Sequence, residues 1–206
     1  MPTSSKKCFQ ILKHNGVLFY GSNFKLEPKD NEIIEKLIAW SIRDKVAANK
    51  LKIDLNKGVL LSGPVGCGKS SLMNLLRYLV LNISPHIIKS CRDIAFEFEK
   101  NGFETVRKYA SISHHPTTHK PYLKTYCFDD LGTEHSLRHF GQECNIMAEI
   151  ILSRYDLFIR NKMLTHFTTN LSADEIEKLY GPRVRSRLRE MCNLIAFPKD
   201  APDKRK

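Results

Sequence analysis

Residues 57–71 read Lys57-Gly58-Val59-Leu60-Leu61-Ser62-Gly63-Pro64-Val65-Gly66-Cys67-Gly68-Lys69-Ser70-Ser71, and the architecture of the chain turns on them. The apolar run Val59–Leu61 passes through Ser62 into a glycine-rich segment. Leu72, Met73, Leu75, Leu76, Leu79 and Val80 then follow at helical spacing. Strand, glycine loop and helix is the context in which a G-x-x-x-x-G-K-[ST] match has mechanical meaning. Glycines let the backbone curl with its N–H groups turned inward, and the following helix presents its positive dipole end to the same point. A polyphosphate fits such a cradle, which is made here by Gly63, Pro64, Val65, Gly66, Cys67, Gly68, Lys69, Ser70 and Ser71. Lys69 would reach the outer phosphates as a point charge, and the Ser70 hydroxyl would ligate a bridging Mg2+. The alternative is a glycine turn that happens to precede a helix. With glycine at roughly 7% of residues, a chance match in a chain of this length is on the order of one in a hundred.

The 206 residues suit one domain, and 42% hydrophobic residues supply a core. No apolar run approaches a membrane span and residues 1–7 lead into no signal-peptide core, so a cytoplasmic protein with no membrane partner is expected. Six cysteines, without any C-x-x-C spacing, indicate neither a zinc site nor a disulfide framework. Lys and Arg number 33 against 22 Asp and Glu, a formal charge of +11 that favours a polyanionic partner. The charge clusters at Arg183, Arg185, Arg187 and Arg189 and again at residues 203–206.

Along the chain, residues 1–30 carry weak signals and read as an N-terminal arm. From Asp30, the positions Ile33, Ile34, Leu37, Ile38, Trp40 and Ile42 predict one helix over 31–48, with Trp40 as a core anchor. Residues 85–90 predict a strand, followed by short helices over 92–100 and 103–110 that break at Asn101-Gly102. His114, His115 and His119 lack acidic or cysteine partners at metal-binding spacing and read as a solvated loop.

Residues 122–134 run from an apolar strand into Asp129-Asp130-Leu131-Gly132. Two acids at the end of such a strand sit at the rim of a parallel sheet, where ligands of open α/β folds gather. Asp129 suits the magnesium shell, and Asp130 is placed to orient or deprotonate an attacking water. Without a phosphate loop the pair would read as an acidic turn. A helix over 142–160 buries Ile146, Met147, Ile150, Ile151, Tyr155 and Phe158, and a strand over 163–170 ends in Asn170. The Asn170 amide is suited either to holding a water by hydrogen bonds or to capping the next helix. Ser172 and Glu175 form a capping-box pattern for a helix over 172–180. Gly181-Pro182 opens another, on which Arg183 and Arg187 are four residues apart and share a face. Residues 193–197 predict the last strand, and 198–206 a basic tail.

The order GPVGCGKS, CFDDLGTE, HFTTNLS, YGPRVRSRL resembles the AAA+ ATPases of the DnaC-type helicase loaders and IstB-type transposition helpers across residues 16–197. The resemblance implies a P-loop NTPase fold, AAA+ or RecA-like. This is a three-layer α/β sandwich with a mainly parallel five-stranded sheet, spanning 31–197, without a C-terminal lid domain. It implies ATP with Mg2+, Gly63 to Ser70 as the Walker A motif and Asp129-Asp130 as the Walker B pair. Asn170 matches sensor 1. Arg183 matches the arginine finger inserted into a neighbouring subunit's site, with Arg187 the second basic residue of its box. Implied partners are DNA, single-stranded or duplex, further copies of the chain, and a replicative helicase or a transposase. Arg92, Lys100, Arg107 and Lys108 would lie near a DNA strand. The chain has Asp-Asp where most AAA+ proteins have Asp-Glu, which implies slow hydrolysis. Two other classes share the phosphate loop: a small-molecule or nucleotide kinase, which needs an acceptor pocket, and a nucleotide-gated adaptor with negligible hydrolysis.

Overall fold

The computed structural model describes residues 3–80, 84–134, 137–139 and 142–205; Met1, Pro2 and the last residue of the basic tail, Lys206, lie outside them. Two compact units divide the chain. One comprises Met1–Leu55, Gly63–Pro85 and Ile195–Lys206, the other Asn56–Ser62 and His86–Leu194.

The first unit is helical. Residues 3–20, weakly patterned in sequence, form helix α1 (Thr3–Tyr20). Its inward stripe is Ser5, Cys8 and Leu12, with only one large apolar residue, while Ile11, Val17, Leu18 and Phe19 are exposed. That inversion hides the helix from a periodicity count. The single helix expected over 31–48 is two, α2 (Asn31–Ser41) and α3 (Lys45–Lys50). Arg43 between them has φ 56°, and the Asp44 carboxylate caps α3 by accepting from the Val46 and Ala47 N–H groups at 3.0 Å each. Helix α4 (Lys69–Leu76) ends before the expected Val80 because Arg77, Tyr78 and Leu79 donate three residues back, tightening the chain out of α-geometry. Helix α1 packs on α2 and α4, and Leu12, Ile34, Leu37, Met73 and Leu76 of these helices are buried. Trp40 is 1% exposed, an anchor as its place in the stripe predicts.

The second unit carries the sheet. Its elements in order are β1 (Gly58–Ser62), β2 (Ile87–Ser90), α5 (Cys91–Asn101), α6 (Glu104–Ala110), β3 (Ser113–His114), β4 (Pro121–Tyr122), β5 (Tyr126–Leu131), β6 (Leu137–His139), β7 (Gln142–Cys144), α7 (Ile146–Asn161), β8 (Thr165–Thr169), α8 (Ala173–Tyr180) and α9 (Pro182–Met191). The last strand, β9 (Cys192–Ala196), leads out of this unit. The five-stranded sheet has the order β2-β5-β8-β1-β9, with β2 and β5, β5 and β8, and β8 and β1 parallel. This is the expected mainly parallel α/β sheet. The histidine segment lies on and between the antiparallel pair β3 and β4, where the His115 ring accepts from the Thr117 and Thr118 N–H groups. Among the described residues no cluster of ligating side chains could hold a metal ion, and no helix is long and apolar enough to cross a membrane.

Strand β8 is buried along its whole length although only Phe167 in it is apolar. Buried polar groups must find partners, and these do. Thr165 Oγ1 accepts from Arg154 Nε at 2.7 Å, His166 Nδ1 from the Val59 N–H at 3.1 Å, and Thr169 Oγ1 donates to the Leu131 carbonyl at 2.7 Å. Helix α7 begins at Ile146, capped by the Asn145 side chain, rather than at residue 142. Its inward face holds Arg154, fully buried, while Tyr155 stays half-buried. Arg154 donates to the carbonyls of Tyr109 at 2.6 Å, Lys124 at 2.9 Å and Leu164 at 3.0 Å, and lies over the rings of Tyr126 and Phe128. Burial lowers its pKa to about 10, so at neutral pH it remains a charge shared among neutral acceptors.

Candidate functional site

In the first unit, the glycine loop closes on itself. Gly66 has φ 80° and Gly68, the N-cap of α4, has φ 102°, conformations that a side chain would strain. Lys69 is 4% exposed and its Nζ donates to the carbonyls of Gly63 at 2.9 Å and Pro64 at 2.8 Å. The ammonium thus braces the loop whose amides precede it. Cys67 is buried beneath, and burial pushes its thiol pKa up, leaving it neutral and inert. A cavity of about 750 Å³ opens beside the loop, lined by Phe24, Leu26, Asp30, Gly66, Gly68 and Ser71 among others.

In the second unit, the acid pair lies within β5 rather than after it. Asp130 has φ 56°, and the register with β8 shifts between Phe128 and Leu131. The irregularity is held by Thr168, whose hydroxyl donates to Asp129 Oδ1 at 2.6 Å and accepts from the Asp130 N–H at 2.8 Å. One buried threonine therefore sets the Asp129 carboxylate and the Asp130 backbone together. Both aspartates are half-buried, while Asn170, just past β8, is exposed. Glu134 is 9% exposed and accepts from the Tyr180 hydroxyl and from the Gly132 N–H at 3.0 Å, which ties the turn after β5 to α8. Burial raises its pKa, against the pull of those donors.

The pairings Ser62 with Thr169 and Leu131 with Thr169 bring the ends of β1, β8 and β5 to one edge of the sheet. Gly63 is the next residue of the chain after Ser62. Carboxyl ends of parallel strands are where open α/β sheets hold ligands.

The arginines of α9 divide. Arg183 is exposed on the first turn. Arg185 pairs with Glu177 and lies 3.8 Å from Asp174. Arg187 lies over the Tyr155 ring at 4.7 Å, and the Tyr155 hydroxyl donates to Glu190 at 2.7 Å. Of the basic residues expected near a DNA strand, Arg107 pairs with Glu104 at 2.9 Å and Lys108 with Glu97 at 2.6 Å, whereas Arg92 lies over the exposed Phe96 ring. Lys100 is exposed. Exposed ion pairs are worth little, so these charges are exchangeable rather than spent.

Ser70 and Asp129 offer hard oxygen donors only. Ser70 belongs to the first unit and Asp129 to the second, and each is of the donor class that a magnesium ion carried on phosphates takes. Glu134, Thr168 and Tyr180 lie inside CFDDLGTE, HFTTNLS and YGPRVRSRL, but those motifs give them no role. For Thr168 the signal lay in the polar run Thr165-His166-Phe167-Thr168-Thr169, where a central strand should be apolar. The contact of Glu134 with Tyr180 spans 46 residues and left no signal.

No family model matches the chain, and no curated protein matches it. Solved structures do. The chain is similar to the crystal structure of DnaI, with a TM-score of 0.55 and 18% identity over 92% of this chain and 94% of that one. Similarity to the DnaC helicase loader has a TM-score of 0.54 and 18% identity, covering 85% and 93%. For AMPPCP-bound DnaA from Aquifex aeolicus the TM-score is 0.52 with 19% identity, covering 88% of this chain and 50% of that one. At these identities the likeness is one of fold alone, a mainly parallel α/β sheet with helices.

Proposed function

We propose that this chain, sharing its fold with a helicase loader and with a DnaA that holds AMPPCP, is an ATP-binding and ATP-hydrolysing switch that assembles side by side on DNA. The observation that carries this is the common sheet edge: β5 carries Asp129-Asp130 just before its last residue, Asn170 follows the end of β8, and β1 runs straight into the glycine loop. Residues 31–197 form the nucleotide-binding domain, with an arm before it and a basic tail after it.

In this reading the amides of Gly63 to Ser71 and the Lys69 ammonium bind the triphosphate. Ser70 and Asp129 would hold Mg2+, which neutralises charge on the phosphate oxygens. Asp130 orients or deprotonates the water, and Asn170 holds it by hydrogen bonds. Arg183, exposed at the start of α9, acts on the site of a neighbouring copy, while Arg187 positions α9 through its stack on Tyr155. An arginine supplied in trans to a phosphoryl-transfer site is worth ~10³-fold or more in rate. The partners this reading implies are DNA, single-stranded or duplex, further copies of the chain, and a replicative helicase or a transposase.

A mixing experiment tests the assembly. Turnover per subunit should rise with protein concentration, and Arg183→Ala and Lys69→Ala chains, each inactive alone, should regain turnover when combined. Each supplies what the other lacks. Concentration-independent turnover, or no recovery on mixing, would refute the shared site.

A further inference from the structure

Within the first unit, residues 198–205 run back across the glycine loop. The Lys204 N–H donates to the Gly66 carbonyl at 3.0 Å. The Asp203 carboxylate lies against the bare Cα of Gly66, so closely that a methyl group there would meet Oδ1 at 2.0 Å. Arg205 holds that carboxylate from three sides, through its N–H at 3.0 Å, Nε at 3.0 Å and Nη2 at 3.1 Å. Farther back, Phe197 packs against Gly63.

The segment is latched as well as draped. Lys204 Nζ pairs with Asp30, which is 1% exposed and 174 residues away, and lies over the Phe197 ring at 5.2 Å. Asp30 Oδ1 has no hydrogen-bond partner among the described residues. A buried carboxylate is costly to leave without its cation, so Asp30 favours the docked segment.

We propose that this strap and a nucleoside triphosphate exclude each other at the loop, the strap acting as a built-in competitor. The inference rests on the nucleotide reading above. A glycine loop leading into a helix N-terminus gathers N–H groups for an anion. Here an anion, Asp203, is already seated against it, with its own counter-cation Arg205. An incoming triphosphate would meet a like charge on Gly66 and a backbone bond on the Gly66 carbonyl, and both must go. Strap release would also free Lys204 and Arg205.

The affinity for AMPPCP, measured by calorimetry, tests this on three proteins: the full chain, a chain stopped after Lys199, and full-length Asp30→Asn, which loses the latch but keeps every loop residue. A strap docked nine-tenths of the time reduces apparent affinity ~10-fold. Truncation should therefore tighten binding by about that factor, and Asp30→Asn should move it the same way. In the full chain, AMPPCP should speed exchange of the Lys204 amide proton. Equal affinities, or weaker binding after truncation, overturn the competition and leave the nucleotide reading intact. Binding by none of the three proteins removes both.

Discussion

Acidification should loosen the sheet at its centre through one histidine. His166 lies buried in β8, 1% exposed, and its Nδ1 accepts the Val59 N–H at 3.1 Å, so that nitrogen carries no proton in the fold. Burial, then the His86 ring 5.0 Å away and the charge of Arg154, push its pKa well below the ordinary 6.5. The unfolded chain takes up a proton below pH 6.5 and the folded chain does not. Stability is therefore whole above that value and lost as pH falls. One proton is worth about 1.4 kcal/mol per pH unit, so acidification to about pH 5 removes about 2 kcal/mol. The same proton would break the bond that anchors Val59, the second residue of the strand leading to the glycine loop. His166→Asn keeps an acceptor in nearly the same place and cannot titrate. Denaturant unfolding of both proteins between about pH 7.5 and about pH 5 should show the wild type losing about 2 kcal/mol more than the variant. Parallel pH dependences would refute the buried neutral ring.

Two further outcomes follow from the acid edge. Thr168→Val preserves volume but strips the hydroxyl that holds Asp129 and the Asp130 N–H; a loss of about 2–4 kcal/mol in denaturant unfolding is expected, and one under about 1 kcal/mol would show that the hydroxyl is not what holds the irregular strand. Glu134 has the opposite pH sign to His166: its folded pKa is raised above 4.5, so its proton-linked stabilisation is complete below 4.5 and is lost as pH rises through the raised value. Relative to Glu134→Gln, the wild type should gain stability on acidification toward pH 4.5, and a fall or no change in that difference would contradict the burial.

Contiguous chemistry was plain in the residue order. The glycine loop needs φ values available to Gly66 and Gly68, the cap of α8 needs Ser172 and Glu175 three apart, and the break between α5 and α6 needs Gly102; each is settled by neighbours a few bonds away. The apolar spacing of α2 and the parallel α/β class were legible for the same reason. What could not be read was every place where a polar group is buried because something distant receives it. Arg154 looks like a surface residue until the carbonyls of Tyr109, Lys124 and Leu164 surround it, and β8 looks too polar for a sheet centre until His166 meets Val59 and Thr168 meets Asp129. The strap is the extreme case, since Asp30 and Lys204 carry no pattern that links them. Local backbone preference acts over one or two turns of chain and leaves a trace in adjacent letters. Desolvation has to be compensated by whichever group folding brings near, and that partner is known only once the chain has packed.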